Sequence, residues 1–318
     1  MKYEQQKTFS FREKRPRVLF LGNGLFYHDC SWDQFIDECK RSDLPDSLWN
    51  DLKHSIPYSI RANIACDFDD KARREKYIAQ LQSMKNNTGI YQKPNSLLKS
   101  LLEMPFDAIL TTNYTYQVEN CLDETFVEKT NFQKHSKYAC CTQKDGDSKF
   151  LLHTFNQVNG HEIWHIHGEA RRRSSMVLTH DEYGRLSTEI GKYFHDSFDP
   201  RIEENEEFTV STWMDYMIFG DVYILGYGAD FAEFDFWWLL GRRRREKSRV
   251  GSIYFYEPLI SKNSENNASK KFALEQSGVR IENLGFSFDD RYEDYPGFYA
   301  AAIQDIQKKM KIFSLVSS

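Results

Sequence analysis

Three short apolar runs punctuate the chain, each ending on small or polar residues. Val18-Leu19-Phe20-Leu21 leads into Gly22-Asn23-Gly24, Ala108-Ile109-Leu110 into Thr111-Thr112-Asn113-Tyr114, and Val222-Tyr223-Ile224-Leu225 into Gly226-Tyr227-Gly228. Apolar runs without polar alternation suit strands covered on both faces, as in a parallel sheet. Ile253–Tyr256 and Val279–Leu284 are further strand candidates. Helical stripes lie between them. Ser31-Trp32-Asp33-Gln34 reads as a capping-box-like start ahead of Phe35, Ile36 and Cys39, and Pro94-Asn95-Ser96 precedes Leu97, Leu98, Leu101 and Leu102. Asp230–Glu233 opens a helix carrying Phe234, Trp237 and Trp238, and Ile303, Ile306, Met310 and Phe313 recur at threes and fours. Strands alternating with helices predict an α/β fold, a parallel sheet with helical crossovers and helical insertions. Residues 1–14 read as a tail and 15–318 as one domain, its core at about 15–30, 105–168 and 220–318. The stretch 31–104 is too long for one crossover and is expected to be a helical insertion; 169–219 is a further one. Within these, 121–160 and 185–215 read as polar and irregular.

Composition narrows the class. The 318 residues carry 42 Lys+Arg against 47 Asp+Glu, a net charge of −5, which gives no ground for direct nucleic-acid reading. Hydrophobic residues at 40% and aromatics at 15% argue for a packed core rather than a disordered chain. The six cysteines form no CxxC pair, so neither a zinc ribbon nor a thioredoxin-like motif is expected. Met1–Arg17 is polar and charged, unlike a secretory signal. No apolar run reaches the roughly 18–20 residues that span a bilayer; the best, Tyr216–Leu240, is broken by Asp221, Asp230, Glu233 and Asp235. A cytoplasmic protein with no membrane contact is the expectation.

The strand ends are where chemistry is expected, because parallel sheets bind ligands at their carboxyl edges. Gly22-Asn23-Gly24 combines two positions without side chains with backbone N–H groups, which suits a phosphate or simply a tight turn. No third glycine follows, which disfavours a hydride-transferring dinucleotide enzyme. Beyond Gly226-Tyr227-Gly228, the acids Asp230, Glu233 and Asp235 suit a helix N-terminus and repel a pyrophosphate, pointing instead to sugar or adenine contacts. The segment His161-Glu162-Ile163-Trp164-His165-Ile166-His167-Gly168 admits two readings. As HExxH on a helix it would hold zinc as a peptidase does. As a strand, which its two-residue alternation between Gly160 and Gly168 favours, it delivers His167 to a strand end, where an imidazole acts as a base near neutral pH.

Gly22-Asn23-Gly24, Thr111-Thr112-Asn113, Ile166-His167-Gly168 and Gly226-Tyr227-Gly228, in this order, resemble the SIR2-like (sirtuin-type) NAD-consuming domain, as do Met176–Thr179, Asp181–Tyr183 and Glu233–Trp238. The resemblance covers most of residues 15–315 and implies a Rossmann-like sheet. It departs from protein deacylases: the four-cysteine zinc module is missing, Thr115 stands where an Asp usually contacts nicotinamide, and Leu25, Phe26 and Tyr27 replace the usual Ser. What it implies is hydrolysis of NAD+ to nicotinamide and ADP-ribose, as in bacterial antiphage effectors, with NAD+ as substrate and no metal. Asn113 and His167 are the implied catalytic residues. Gly22, Asn23 and Gly24 would border the diphosphate, Thr112, Thr115 and Gly168 the site, and Gly226, Tyr227, Gly228 and Glu257 the adenosine. A homo-oligomer, a regulatory defence partner or a nucleotide trigger would control it; a SIR2-like nucleotide-binding module without catalysis is the alternative. The runs Arg171–Arg173 and Arg242–Arg245 read as solvated faces, or as partners for acids such as Glu203–Glu207 on a neighbouring subunit.

Overall fold

The computed structural model describes residues 7–11, 14–26, 32–66, 96–126, 138–140, 149–170, 172–196, 207–246, 249–260, 264–288 and 295–316. Tyr27, Ser31, Pro94, Asn95, Arg171 and Glu203–Glu206, all invoked above, lie outside them. Twelve strands are described. β1 (Thr8–Ser10) pairs antiparallel with β7 (Glu207–Thr209), and β10 (Leu259–Ile260) lies beside β12 (Ser287–Phe288). The remaining eight form the central sheet: β2 (Arg17–Leu21), β3 (Ala108–Thr111), β4 (Tyr138–Cys140), β5 (Thr154–Val158), β6 (His161–His165), β8 (Asp221–Leu225), β9 (Ile253–Tyr256) and β11 (Val279–Glu282).

The sheet order is β11-β9-β8-β2-β3-β6-β5-β4, parallel from β11 to β6 and antiparallel beyond. Numbering its six parallel strands along the chain (β2, β3, β6, β8, β9, β11) gives the order 3-2-1-4-5-6, that of doubly wound dinucleotide-binding folds. The switch point falls between β2 and β8, which carry Gly22-Asn23-Gly24 and Gly226-Tyr227-Gly228 at their carboxyl ends. The Rossmann-like α/β expectation holds.

Continuous apolar runs feed both faces. Val18, Phe20, Leu110, Trp164, Ile224 and Phe255 pack on one side against the helices His180–Asp196, Trp213–Phe219 and Phe234–Glu246. Leu19, Leu21, Ile109, Ile163, Leu225 and Tyr256 pack on the other against Ser96–Leu102, Gln117–Leu122 and Tyr295–Val316. A third cluster joins the helices Trp32–Glu38, Asp46–Ser55 and Tyr58–Cys66 to Tyr114, Ala170, Met176 and Leu178. Those contacts follow the ends of β3 and β6, so helices between β2 and β3 cover the chemically loaded edge.

Three expectations need correction. The stretch 121–160 contributes β4 and β5 to the sheet. The stretch 185–215 is largely regular, with the 17-residue helix His180–Asp196 and the helix Trp213–Phe219. Both have capping boxes. Thr179 Oγ1 accepts from the Glu182 N–H while the Glu182 carboxylate accepts from Thr179 N, and Thr212 and Asp215 exchange the same bonds. The helix after β8 starts at Phe234, and Asp230–Glu233 form the turn before it. Among the described residues no helix is long and apolar enough to cross a membrane.

Candidate functional site

At the switch point the two glycine turns grip each other. Gly22 N–H donates to Leu225 O (3.0 Å) and Gly24 N–H to Gly226 O (2.6 Å). A Cβ on Gly22 would lie 2.3 Å from Gly226 O, and one on Gly24 2.8 Å from Gly226 Cα. The first demand on both glycines is therefore close backbone approach, and their N–H groups are spent on β8 rather than on a phosphate. The chain coils immediately afterwards, as a 3₁₀ turn over Asn23–Phe26.

Asn113 stands two residues past β3 and is 4% exposed. Its Nδ2 approaches Gly22 O at 3.4 Å, tying it to the glycine turn, while its buried Oδ1 meets no hydrogen-bond partner among the described residues. An acceptor so placed fits a donor from outside the chain, such as a ribose hydroxyl or a water molecule. Behind it lies a pair invisible to motif reading. His165 donates from Nδ1 to Asn113 O (2.7 Å) and pairs through Nε2 with Glu119 Oε1 (2.7 Å). Burial drives the His165 pKa down, but the carboxylates of Glu119 and Glu169 outweigh it and raise it to about 9, so the ring is an imidazolium at neutral pH. Asn156 donates to Glu119 Oε1 at 2.8 Å.

His167 belongs to a second cluster. The strand ends at His165 and the chain turns through Ile166–Gly168, with Gly168 at φ 86°. Two-residue spacing within a strand would aim both histidines at one face; the turn sends His167 to the other. His165 packs on Tyr116, whereas His167 meets Tyr183 edge-on and pairs through Nε2 with Asp235 Oδ2 at 2.9 Å. The Tyr183 hydroxyl lies 3.4 Å from His167 Nδ1 and 2.7 Å from the Tyr58 hydroxyl, which comes from the covering helices. Burial lowers the His167 pKa, but Asp235 and Glu233 prevail and hold it above the usual value. Glu233 itself is pushed up to about 7 by burial and by Asp235, against the pull of His167. A carboxyl pushed up to about 7 beside an imidazole held above its usual value marks a functional site more often than a purely structural one.

Thr112 N–H donates to Leu21 O, bridging β3 and β2. The Thr115 hydroxyl donates to Gln117 within its own turn. Gly168 is a structural glycine, its would-be Cβ lying 2.2 Å from Ser175 O. Tyr227 packs on Phe20 and Phe236, while Gly228 is open. Glu257, just past β9, pairs with Lys270 (2.8 Å), which also donates to Gly228 O (3.1 Å) and so ties the β8 and β9 ends together. The zinc-peptidase alternative fails: His161–His165 is a strand, and Glu162 points away to the Tyr216 hydroxyl and Lys7. Arg242–Arg245 is not a uniformly solvated face. Arg243 is 4% exposed and donates to the carbonyls of Met217, Ile218, Gly220 and Gly251, and Arg242 pairs with Glu246.

The two glycine turns at the switch point, the orphaned amide acceptor and the buried His–carboxylate pair thus lie along the edge at which doubly wound sheets bind their ligands. Residues 107–212 match the family model of the SIR2-like domain, which spans β3, Asn113, β6, His167 and the helix over 180–196; the two glycine turns lie outside the matched range. SIR2-like domains bind NAD+, and the match supports a nucleotide- or NAD-related function. No curated protein matches it.

Proposed function

We propose that the protein is an NAD+ glycohydrolase, cleaving the nicotinamide–ribose bond to give nicotinamide and ADP-ribose. The observation that carries the reading is the unpartnered, buried Oδ1 of Asn113, whose Nδ2 holds the amide against Gly22 O beside the switch point, with His167 just past the end of the next strand. Cleavage builds positive charge on the sugar, as in other glycosidic transfers. Nicotinamide leaves readily, so the chain's task is to orient the ribose, exclude bulk water and place one attacking water. Asn113 Oδ1 accepts from that water or from a ribose hydroxyl, and His167 takes the proton released. Gly226–Gly228, with Glu257 held by Lys270, borders the adenosine. The role is that of a triggered effector in antiphage defence, working by NAD+ depletion under a second copy, a partner protein or a nucleotide trigger.

Incubating the purified protein with NAD+ and following nicotinamide release tests this, alongside Asn113→Ala and His167→Ala. Both variants are expected to lose activity, and release unaffected by either change overturns the assignment. One observation favours a second reading, a nucleotide-binding module without catalysis: His167 is 2% exposed with both ring nitrogens engaged. NAD+ binding by calorimetry without turnover, in the presence of the partner or trigger, would support that reading.

A further inference from the structure

We propose that Asp235 is the positioning residue of His167: its carboxylate accepts the Nε2 proton and leaves Nδ1 as the atom that takes a proton during the reaction. The catalytic consequence rests on the hydrolase reading above; the state of the ring does not. Asp235 Oδ2 and His167 Nε2 are 2.9 Å apart, and their side chains are 1% and 2% exposed.

The two residues come from distant parts of the sheet. His167 follows β6 and Asp235 follows β8, with β2 and β3 between. The segment that leads from Gly228 to Asp235 begins at Ala229, fully buried and held at φ 47°, a conformation L-residues seldom adopt. Helix capping alone asks for none of this, because an acid in a first turn meets the dipole while solvated. Simple charge neutralisation accounts poorly for it too. Asp235 Oδ1 is buried without a hydrogen-bond partner among the described residues, whereas a carboxylate placed for stability alone is normally satisfied at both oxygens.

The groups facing the ring are Asp235 and Glu233 from the β8 side and Tyr183 from the helix His180–Asp196, backed by Tyr58; Tyr227 faces the two acids. A carboxylate can only accept, so the Nε2 edge must carry the hydrogen. Nδ1 then presents its lone pair toward the Tyr183 hydroxyl, whose 3.4 Å contact is long enough for a closer donor to replace. In the hydrolytic step the water O–H bond breaks as its oxygen bonds to the ribose C1′. The C1′–N bond breaks with its electron pair going to nicotinamide. The proton passes to Nδ1, and Asp235 balances the imidazolium formed.

The test combines a spectroscopic and a kinetic readout on the full chain. Imidazole ¹⁵N spectra of histidine-labelled protein, with His167→Gln assigning the signals, are expected to show a neutral ring protonated at Nε2 and titrating above the ordinary range. Asp235→Asn should shift that titration to lower pH or move the hydrogen to Nδ1. It should also cut kcat for nicotinamide release on the order of 100-fold, displacing the acid limb of the pH profile downward. Asp235→Glu should restore the wild-type profile in part. A wild-type ring whose neutral form carries its hydrogen on Nδ1, or an Asp235→Asn variant with unaltered kcat and pH profile, overturns the proposal. If the wild type releases no nicotinamide even with its partner or trigger present, the hydrolase reading fails while the ring spectra still decide the dyad. If Asp235→Asn does not fold, the wild-type spectra alone decide it.

Discussion

The Glu119–His165 pair sets a stability signature that Glu119→Gln should erase. Burial opposes the charge on His165, yet Glu119 and Glu169 raise its pKa from 6.5 to about 9. A folded-state pKa above the unfolded value contributes stability that is complete below the unfolded pKa and vanishes as the pH climbs through the folded one. At roughly 1.4 kcal/mol per unit, the full contribution is on the order of 3 kcal/mol. About 2 kcal/mol of it disappears between about pH 7 and pH 9. His165 is 2% and Glu119 0% exposed, so solvent screening does not erode the pair. Glu119→Gln keeps the shape and the contact to Asn156 while removing the charge that holds the proton. Urea midpoints of wild type and variant at intervals from pH 6 to about pH 10 would isolate the term, since other titrating groups cancel in the difference. The gap should be widest at pH 6 and shrink by about 2 kcal/mol between about pH 7 and pH 9. A gap that stays constant across that window refutes an imidazolium at His165. Because His165 also donates to Asn113 O, the same variant should release nicotinamide more slowly.

Further outcomes follow from single contacts. Gly22→Ala drives a Cβ to 2.3 Å from Gly226 O, backbone against backbone, and should cost about 3 kcal/mol in urea unfolding while abolishing NAD+ binding. Arg243→Met strips four carbonyls of their shared donor and should destabilise by roughly 3 kcal/mol, leaving nicotinamide release per folded molecule intact. Glu233 has its carboxyl pushed from 4.5 up to about 7, so its contribution is fully present below pH 4.5 and lost as pH rises through about 7. Glu233→Gln should therefore raise the melting temperature at pH 8 but not at pH 4, and an equal change at both would contradict the strained carboxyl.

The parts legible in the sequence were those in which one local rule sufficed. Leu19, Leu110 and Ile224 lie in continuous apolar runs because helices cover both faces of the sheet, so these runs mark the central strands. β5 was not legible, since Thr154, Asn156 and Gln157 dilute it, and Asn156 is polar because it serves Glu119. The helix His180–Asp196 left two signals: the Thr179-x-x-Glu182 box, and Tyr183, Leu186, Ile190 and Phe194 on one buried stripe, partly hidden by Gly184 and Gly191. Among the candidate site residues, Asn113 and His167 stand out in the sequence because they follow strand ends. Their partners do not: Glu119 and Asp235 are separated from the histidines they hold by 46 and 68 residues, and no periodicity reaches so far.

Asp235 makes the difference concrete. On the page of the sequence it stands among three acids near a helix start, and the dipole accounts for all three alike. In the fold they part company. Asp230 is exposed and caps the turn through Ala232 N, Glu233 is buried with a carboxyl near neutrality, and Asp235 lies against the imidazole. The dipole is satisfied by a solvated acid and supplies no reason to bury two of them. What distinguishes the three is how far each has been taken out of water. Burial of an acid that solvation would have served equally well is therefore the mark that separates the His167 partner from an ordinary cap.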